Sequence, residues 1–212
     1  ITDTKGTFYY DGGTVQVADR VWFQTAFSGK NFVSEPYIER ANHTLVVTVA
    51  VPVYDANESI CGVLSADLPG LQLRDYIKDI VIGKTGNCYI LGPTGASIAD
   101  EDAELVITMS NAFEEAKTDP AMVSIGMFEH DAVASKVPIT GSYTYKDVSK
   151  VAASAKMRSA DWTVVINAPY EEFMSEVKSL SISLFVIGVL ILIAVFIIVY
   201  FVTTQIVKPV RL

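Results

Sequence analysis

Two cysteines and two histidines among 212 residues leave little from which to build a disulfide framework or a metal site. Cys61 and Cys88 each sit among apolar neighbours in strand-like runs, so both are expected to be small buried side chains with free thiols. His43 and His130 stand far apart and at no ligand spacing from either cysteine, so no metal site is expected. Bases are scarce as well: 16 Lys and Arg against 24 Asp and Glu give a net charge of −8. A chain of that sign is a poor partner for nucleic acid or an anionic membrane face. The glycines of KTGNCYILGPTG lack a following Lys-Ser/Thr and a helix start, so they read as turn residues and imply no phosphate-bearing cofactor. No nucleophile, base and orienting group are assembled, so the chain does not read as an enzyme.

Charge is missing altogether from Ser179 to Val207, and the core of that run, Leu180 to Val202, is long enough for a helix of about 34 Å. It is expected to cross a bilayer. Gln205, Lys208 and Arg211 follow it without an acid, whereas Glu171, Glu172 and Glu176 precede it with only Lys178. By the positive-inside rule the C-terminus is cytoplasmic and residues 1–178 lie outside the cell membrane. The sequence does not start with Met and shows no signal sequence, so Ile1 is expected to lie inside a longer protein, its first membrane crossing missing.

In the exterior part, His43 to Tyr54 and Ser59 to Asp67 read as β-strands around the polar turn Asp55 to Glu58, and Leu71 to Val81 as a helix. The order recurs near the membrane. Lys150 to Met157 and Trp162 to Ala168 form a second hairpin, and Pro169 begins a helix that continues into the apolar run. Between them GNCYILGPTGASIAD reads as strand, turn and strand, and Asp119-Pro120 as the start of a helix through about Lys136. The first hairpin has no equivalent opening strands or helix in this reading. Two hairpins, each followed by a helix, suggest tandem related modules.

DRVWFQTAFSGKNFVSEPYIE (Asp19 to Glu39), VAVPVYDANESICGVLSADL (Val49 to Leu68) and IGKTGNCYILGPTGASIAD (Ile82 to Asp100) resemble the double Cache family of extracellular sensor domains in bacterial chemoreceptors and sensor kinases. The closing QIVKPVRL resembles the start of a HAMP linker. The resemblance implies an α+β fold of tandem PAS-like modules, antiparallel sheets flanked by helices, the first incomplete, followed by one transmembrane helix. It implies a membrane-distal module at 1–80, a membrane-proximal module at 81–178, a transmembrane helix at 179–204 and a linker at 205–212. It also implies a homodimer formed through the missing N-terminal helix and the membrane helices, and a small ligand, an amino acid or related metabolite, in the distal module. The preferred reading is a transmembrane signalling receptor of the chemoreceptor type; the alternatives are the input domain of a histidine kinase or cyclic dinucleotide enzyme, or a non-signalling anchored binding protein.

In the amino-acid-binding subgroup of that family the motif is Arg, Trp two residues on, then Tyr and an acid two apart, then Asp after the next hairpin. The residues here are Arg20, Trp22, Tyr37, Glu39 and Asp67, with Phe23 where a tyrosine is common. Glu39 stands where the subgroup usually has Asp, and Val15 where it has an aromatic residue. The chemistry is coherent: a guanidinium meets a carboxylate with two parallel hydrogen bonds, an indole N–H adds a donor, and Asp67 and Tyr37 face an ammonium. Read as extended, the segment puts Arg20 and Trp22 on one wall. Each residue also has a plainer role open to it: an Asp19–Arg20 surface pair, core aromatics at Trp22 and Phe23, a loop anchor at Tyr37, and a turn or helix cap at Asp67.

Overall fold

The computed structural model describes residues 1–202, without the side chains of 175–179. The expected linker at 205–212, with Gln205, Lys208 and Arg211, lies outside the described residues. The chain divides into a compact unit, Ile1–Pro169, and a second that begins at Tyr170.

Two antiparallel sheets organise the compact unit. The first is built from β1 (Thr2–Asp3), β2 (Thr7–Tyr10), β3 (Gly13–Gln16), β4 (Phe32–Val33), β5 (Tyr37–Ile38), β6 (Leu45–Tyr54) and β7 (Ile60–Pro69), in the order β3-β2-β1-β7-β6-β4 with β5 also on β6. Helix α1 (Val21–Phe27) packs on β6 and β7, and α2 (Gln72–Ile77) follows β7. The second sheet runs β10 (Ile139–Tyr145), β11 (Val148–Lys156), β12 (Thr163–Pro169), β8 (Asn87–Leu91) and β9 (Ser97–Ala99). Its helices are α3 (Ala103–Ile107), α4 (Ala112–Glu115) and α5 (Val123–Ala134).

The first long hairpin forms where a strand rich in β-branched residues meets a turn that satisfies its own backbone. At β6–β7, Asp55 Oδ1 accepts hydrogen bonds from the N–H groups of Asn57 and Ser59, and Glu58 takes the left-handed conformation at φ 60°. The sheets are not independent. Val47 and Ile77 from the first half pack with Cys88, Ile90, Ile98 and Trp162 from the second in one buried cluster. Glu35 also crosses between them, its Oε1 accepting from the Thr94 N–H at 3.0 Å and hydroxyl at 2.7 Å. Gly92 permits that approach, since a Cβ there would stand 2.0 Å from the same carboxylate oxygen.

Three sequence expectations are corrected. Strands do open the first half: β1 to β3 form a small meander that joins β7, invisible to periodicity because each strand has only 2 to 4 residues. Helix α2 ends at Ile77, well short of Val81. Cys61 is exposed while Cys88 is buried. Tyr54 pairs with Ile60 and Val53 with Gly62, so Cys61 is the extra residue of a β-bulge and is turned out of the core. A thiol reagent should therefore label one cysteine in the native chain within minutes and the second only after unfolding. Two fast thiols, or none, would contradict the register at the bulge.

Beyond Pro169, helix α6 (Tyr170–Val202) carries the apolar run Leu180–Val202, with a mean hydropathy of 3.4. By length and composition it fits a membrane span. Pro169 is the last residue of β12, and the helix starts one residue later.

Candidate functional site

Arg20 is the N-cap of α1 and not part of an extended run, because Val21 to Phe27 are already helical. Its backbone is extended (φ −76°, ψ 133°), which throws the side chain off the helix start and places the guanidinium carbon 5.0 Å above the Tyr37 ring. The neighbouring acid is engaged elsewhere: Asp19 forms a bidentate pair with Arg40, at 2.8 and 2.6 Å. Arg40 holds the Asp19 carboxyl down at about 2. The Asp19–Arg20 surface pair that the dipeptide suggested is thereby excluded, and no ion pair among the described residues uses Arg20.

Opposite Arg20 lie the acceptors. Thr48, fully buried on β6, bridges Tyr37 and Asp67: its hydroxyl lies 2.7 Å from the Tyr37 hydroxyl and donates a short hydrogen bond to Asp67 Oδ1. The β-register makes this possible, since Thr48 faces Asp67 across the hairpin while Tyr37 faces Val46. Asp67 lies within β7 and caps no helix. Loss of hydration pushes its pKa up; the Thr48 hydrogen bond opposes the shift and the nearby Glu39 charge adds to it. Glu39 is buried, its two carboxylate oxygens accepting from the Ala41 and Asn42 N–H groups at 2.8 and 2.9 Å. It shapes a turn and adds negative charge beside Asp67.

Arg20, Trp22, Tyr37, Glu39 and Asp67 all line one small cavity, together with Phe8, Val17, Arg40 and Ser65. Its free space is about 10 Å³, room for roughly one water molecule. Phe23 does not reach it. That side chain lies in the buried cluster behind, edge-on to Trp22 and stacked on Phe27. The Trp22 indole N–H is buried on the cavity wall, where its one polar interaction is with the Tyr37 hydroxyl. Of the residues that the sequence reading missed, Ser65 carries a legible signal, standing two before Asp67 on the same face of β7.

Arg20, Trp22 and Tyr37 also form one wall of a larger open groove of about 890 Å³. Its other wall is the β11–β12 turn, Arg158 to Trp162, with Pro93 and Thr94. Trp162 thus lines the groove and belongs to the core shared by both sheets.

A family model described as a Cache domain matches residues 1–177. The methyl-accepting chemotaxis protein PscA of Pseudomonas syringae pv. tomato is 26% identical over 131 residues, 59% of this chain and 20% of that protein. The chain therefore spans about a fifth of that relative's length. The ligand-binding domain of the Pseudomonas fluorescens chemoreceptor CtaA, solved in complex with L-leucine, superposes with a TM-score of 0.58 at 18% identity, covering 81% of this chain and 69% of that one. The extracellular domain of the putative histidine kinase mmHK1S-Z3 gives a TM-score of 0.61 at 13% identity, covering 79% and 61%. At these identities the likeness is one of fold.

Proposed function

The chain belongs to the Cache domain family, and from that premise we propose that it is the extracellular sensor of a bacterial transmembrane chemoreceptor and binds a small amino acid in the cavity under Arg20. The observation that carries the reading is the convergence of five residues spread over 48 positions, Arg20 to Asp67, on one cavity with an unpaired guanidinium on one side and two carboxylates on the other. That is the arrangement a zwitterion needs, with Arg20 for the carboxylate and Asp67 for the ammonium. The relative solved with L-leucine and the chemotaxis relative support the ligand class and the output.

A cavity sized for one water molecule must open to admit an amino acid. Arg20, Trp22 and Tyr37 separate it from the groove, so parting the Arg20–Tyr37 contact is the simplest entry. A ligand that favours the opened form shifts the population toward it. The same movement alters the groove whose far wall is Arg158 to Trp162, the turn that leads into β12 and, at Tyr170, into α6. In this reading residues 1–178 lie outside the cell, α6 crosses the membrane, the C-terminus is cytoplasmic, and the receptor works as a homodimer. Calorimetric titration of the chain in detergent with the twenty standard amino acids should show at least one with a dissociation constant below about 1 mM, about −4 kcal/mol. Silence from all twenty would overturn the amino-acid reading.

A further inference from the structure

The second sheet encloses a cavity of about 360 Å³, within the size range of small-molecule sites and far larger than the one under Arg20. Its floor is unusual. Glu129 of α5, Asn167 of β12, Tyr89 of β8 and Ser97 of β9 all line it, and each is more than nine-tenths buried. The Asn167 Oδ1 and Ser97 hydroxyl have no hydrogen-bond partner, although buried polar groups are nearly always satisfied, while the Tyr89 hydroxyl interacts with Glu129 and Tyr143. The orientation of Asn167 is fixed, because its Nδ2 donates to Asn87 Oδ1 at 2.6 Å, leaving the free carbonyl oxygen as a pure acceptor. No ion pair among the described residues reaches Glu129.

We propose that this cavity is a second ligand site, for a small organic ammonium ion, with Glu129 and the Asn167 carbonyl as its acceptors. An anion would meet a buried carboxyl and an orphan acceptor there, whereas an ammonium supplies a donor to the Asn167 carbonyl and a positive charge to Glu129, whose one polar contact is the Tyr89 hydroxyl. Tyr89 and Tyr143 line the same space, and aromatic rings are favourable neighbours for a cation. Lys146 and Lys150 also line the cavity, Lys150 half-buried and Lys146 exposed, while Asp100, Glu101 and Asp102 outnumber them.

Burial raises the Glu129 pKa to about 8, opposed by Tyr89 and reinforced by the charges of Asp100 and Glu115; Asp100 itself is raised to about 6. The Tyr89 and Tyr143 hydroxyls are pushed further up and stay neutral, and burial lowers Lys150. An ammonium that enters at neutral pH therefore displaces the Glu129 proton to solvent, and binding strengthens as the solution supplies the ionised form.

The test titrates the chain in detergent with n-butylamine, with n-butanol and butyrate as neutral and anionic controls, at pH 7 and pH 9. The amine should bind and the two controls should not, with affinity rising about tenfold from pH 7 to 9. Glu129→Gln should remove the pH dependence and weaken the amine at pH 9 at least tenfold. If that variant loses its cooperative thermal transition, Asp100→Asn carries the test and should weaken the amine several-fold. Butanol or butyrate binding as well as the amine, no amine binding at either pH, or amine isotherms unchanged in a folded variant would each overturn the proposal.

Discussion

Glu129→Gln is expected to raise the melting temperature by about 10 °C at pH 9 and to leave it unchanged at pH 4. A carboxyl that titrates at 4.5 in the unfolded chain and at about 8 in the folded one takes up a proton on folding across that window. The folded state then binds more protons than the unfolded state, so stability falls as pH rises from 4.5 to 8 and stays low above it. Each pH unit of separation corresponds to about 1.4 kcal/mol, which gives a penalty of about 3–5 kcal/mol once the buried site relaxes around the charge. For a domain of this size a change of 1 kcal/mol shifts the midpoint by about 2–4 °C. Glutamine keeps the shape without the charge. Scanning calorimetry of both proteins across this range decides the matter: parallel pH profiles would show that Glu129 does not titrate in the window.

The second large effect is at the cavity of the first sheet. Arg20→Ala and Asp67→Ala should each weaken the amino acid that binds by about thirtyfold or more, because each leaves an opposite charge of the ligand stranded, at a cost of about 2–5 kcal/mol. The two variants should answer to different analogues. Arg20→Ala should lose most of its penalty toward the carboxamide of the ligand, and Asp67→Ala toward the analogue without the amine. Equal penalties for every analogue, accompanied by a lowered melting temperature, would make both residues structural.

The two hairpins were legible because their strands are long, because β6 and β12 are rich in β-branched residues, and because Asp55 supplies the turn chemistry between β6 and β7. Strand β10 and helices α3 and α4 were not read. Helices of 5 and 4 residues hold too little periodicity, and Asp102 and Asn111, which cap them, resemble ordinary loop residues. The motif order from Arg20 to Asp67 was legible as a resemblance, while its geometry was not. Only the structure shows that Arg20 caps a helix, that Arg40 removes Asp19 from contention, and that Phe23 belongs to the core. The cavity of the second sheet draws Tyr89 and Ser97 from neighbouring strands but Glu129 and Asn167 from segments about 30 to 80 residues away, so no local pattern announces it. One sign was present. Ile125, Phe128 and Ala132 mark the apolar stripe of α5, and Glu129 stands within that stripe where an apolar residue is the rule.

The central claim, that the cavity under Arg20 receives an amino acid, is tested most directly by a crystal structure of the Cache domain with the amino acid that titrates. The account predicts its carboxylate on the Arg20 guanidinium, its ammonium within hydrogen-bond distance of Asp67, and the cavity widened well beyond the present 10 Å³ or so. An amino acid seated instead against Trp162 in the open groove, with Asp67 still held by Thr48 alone, would contradict it.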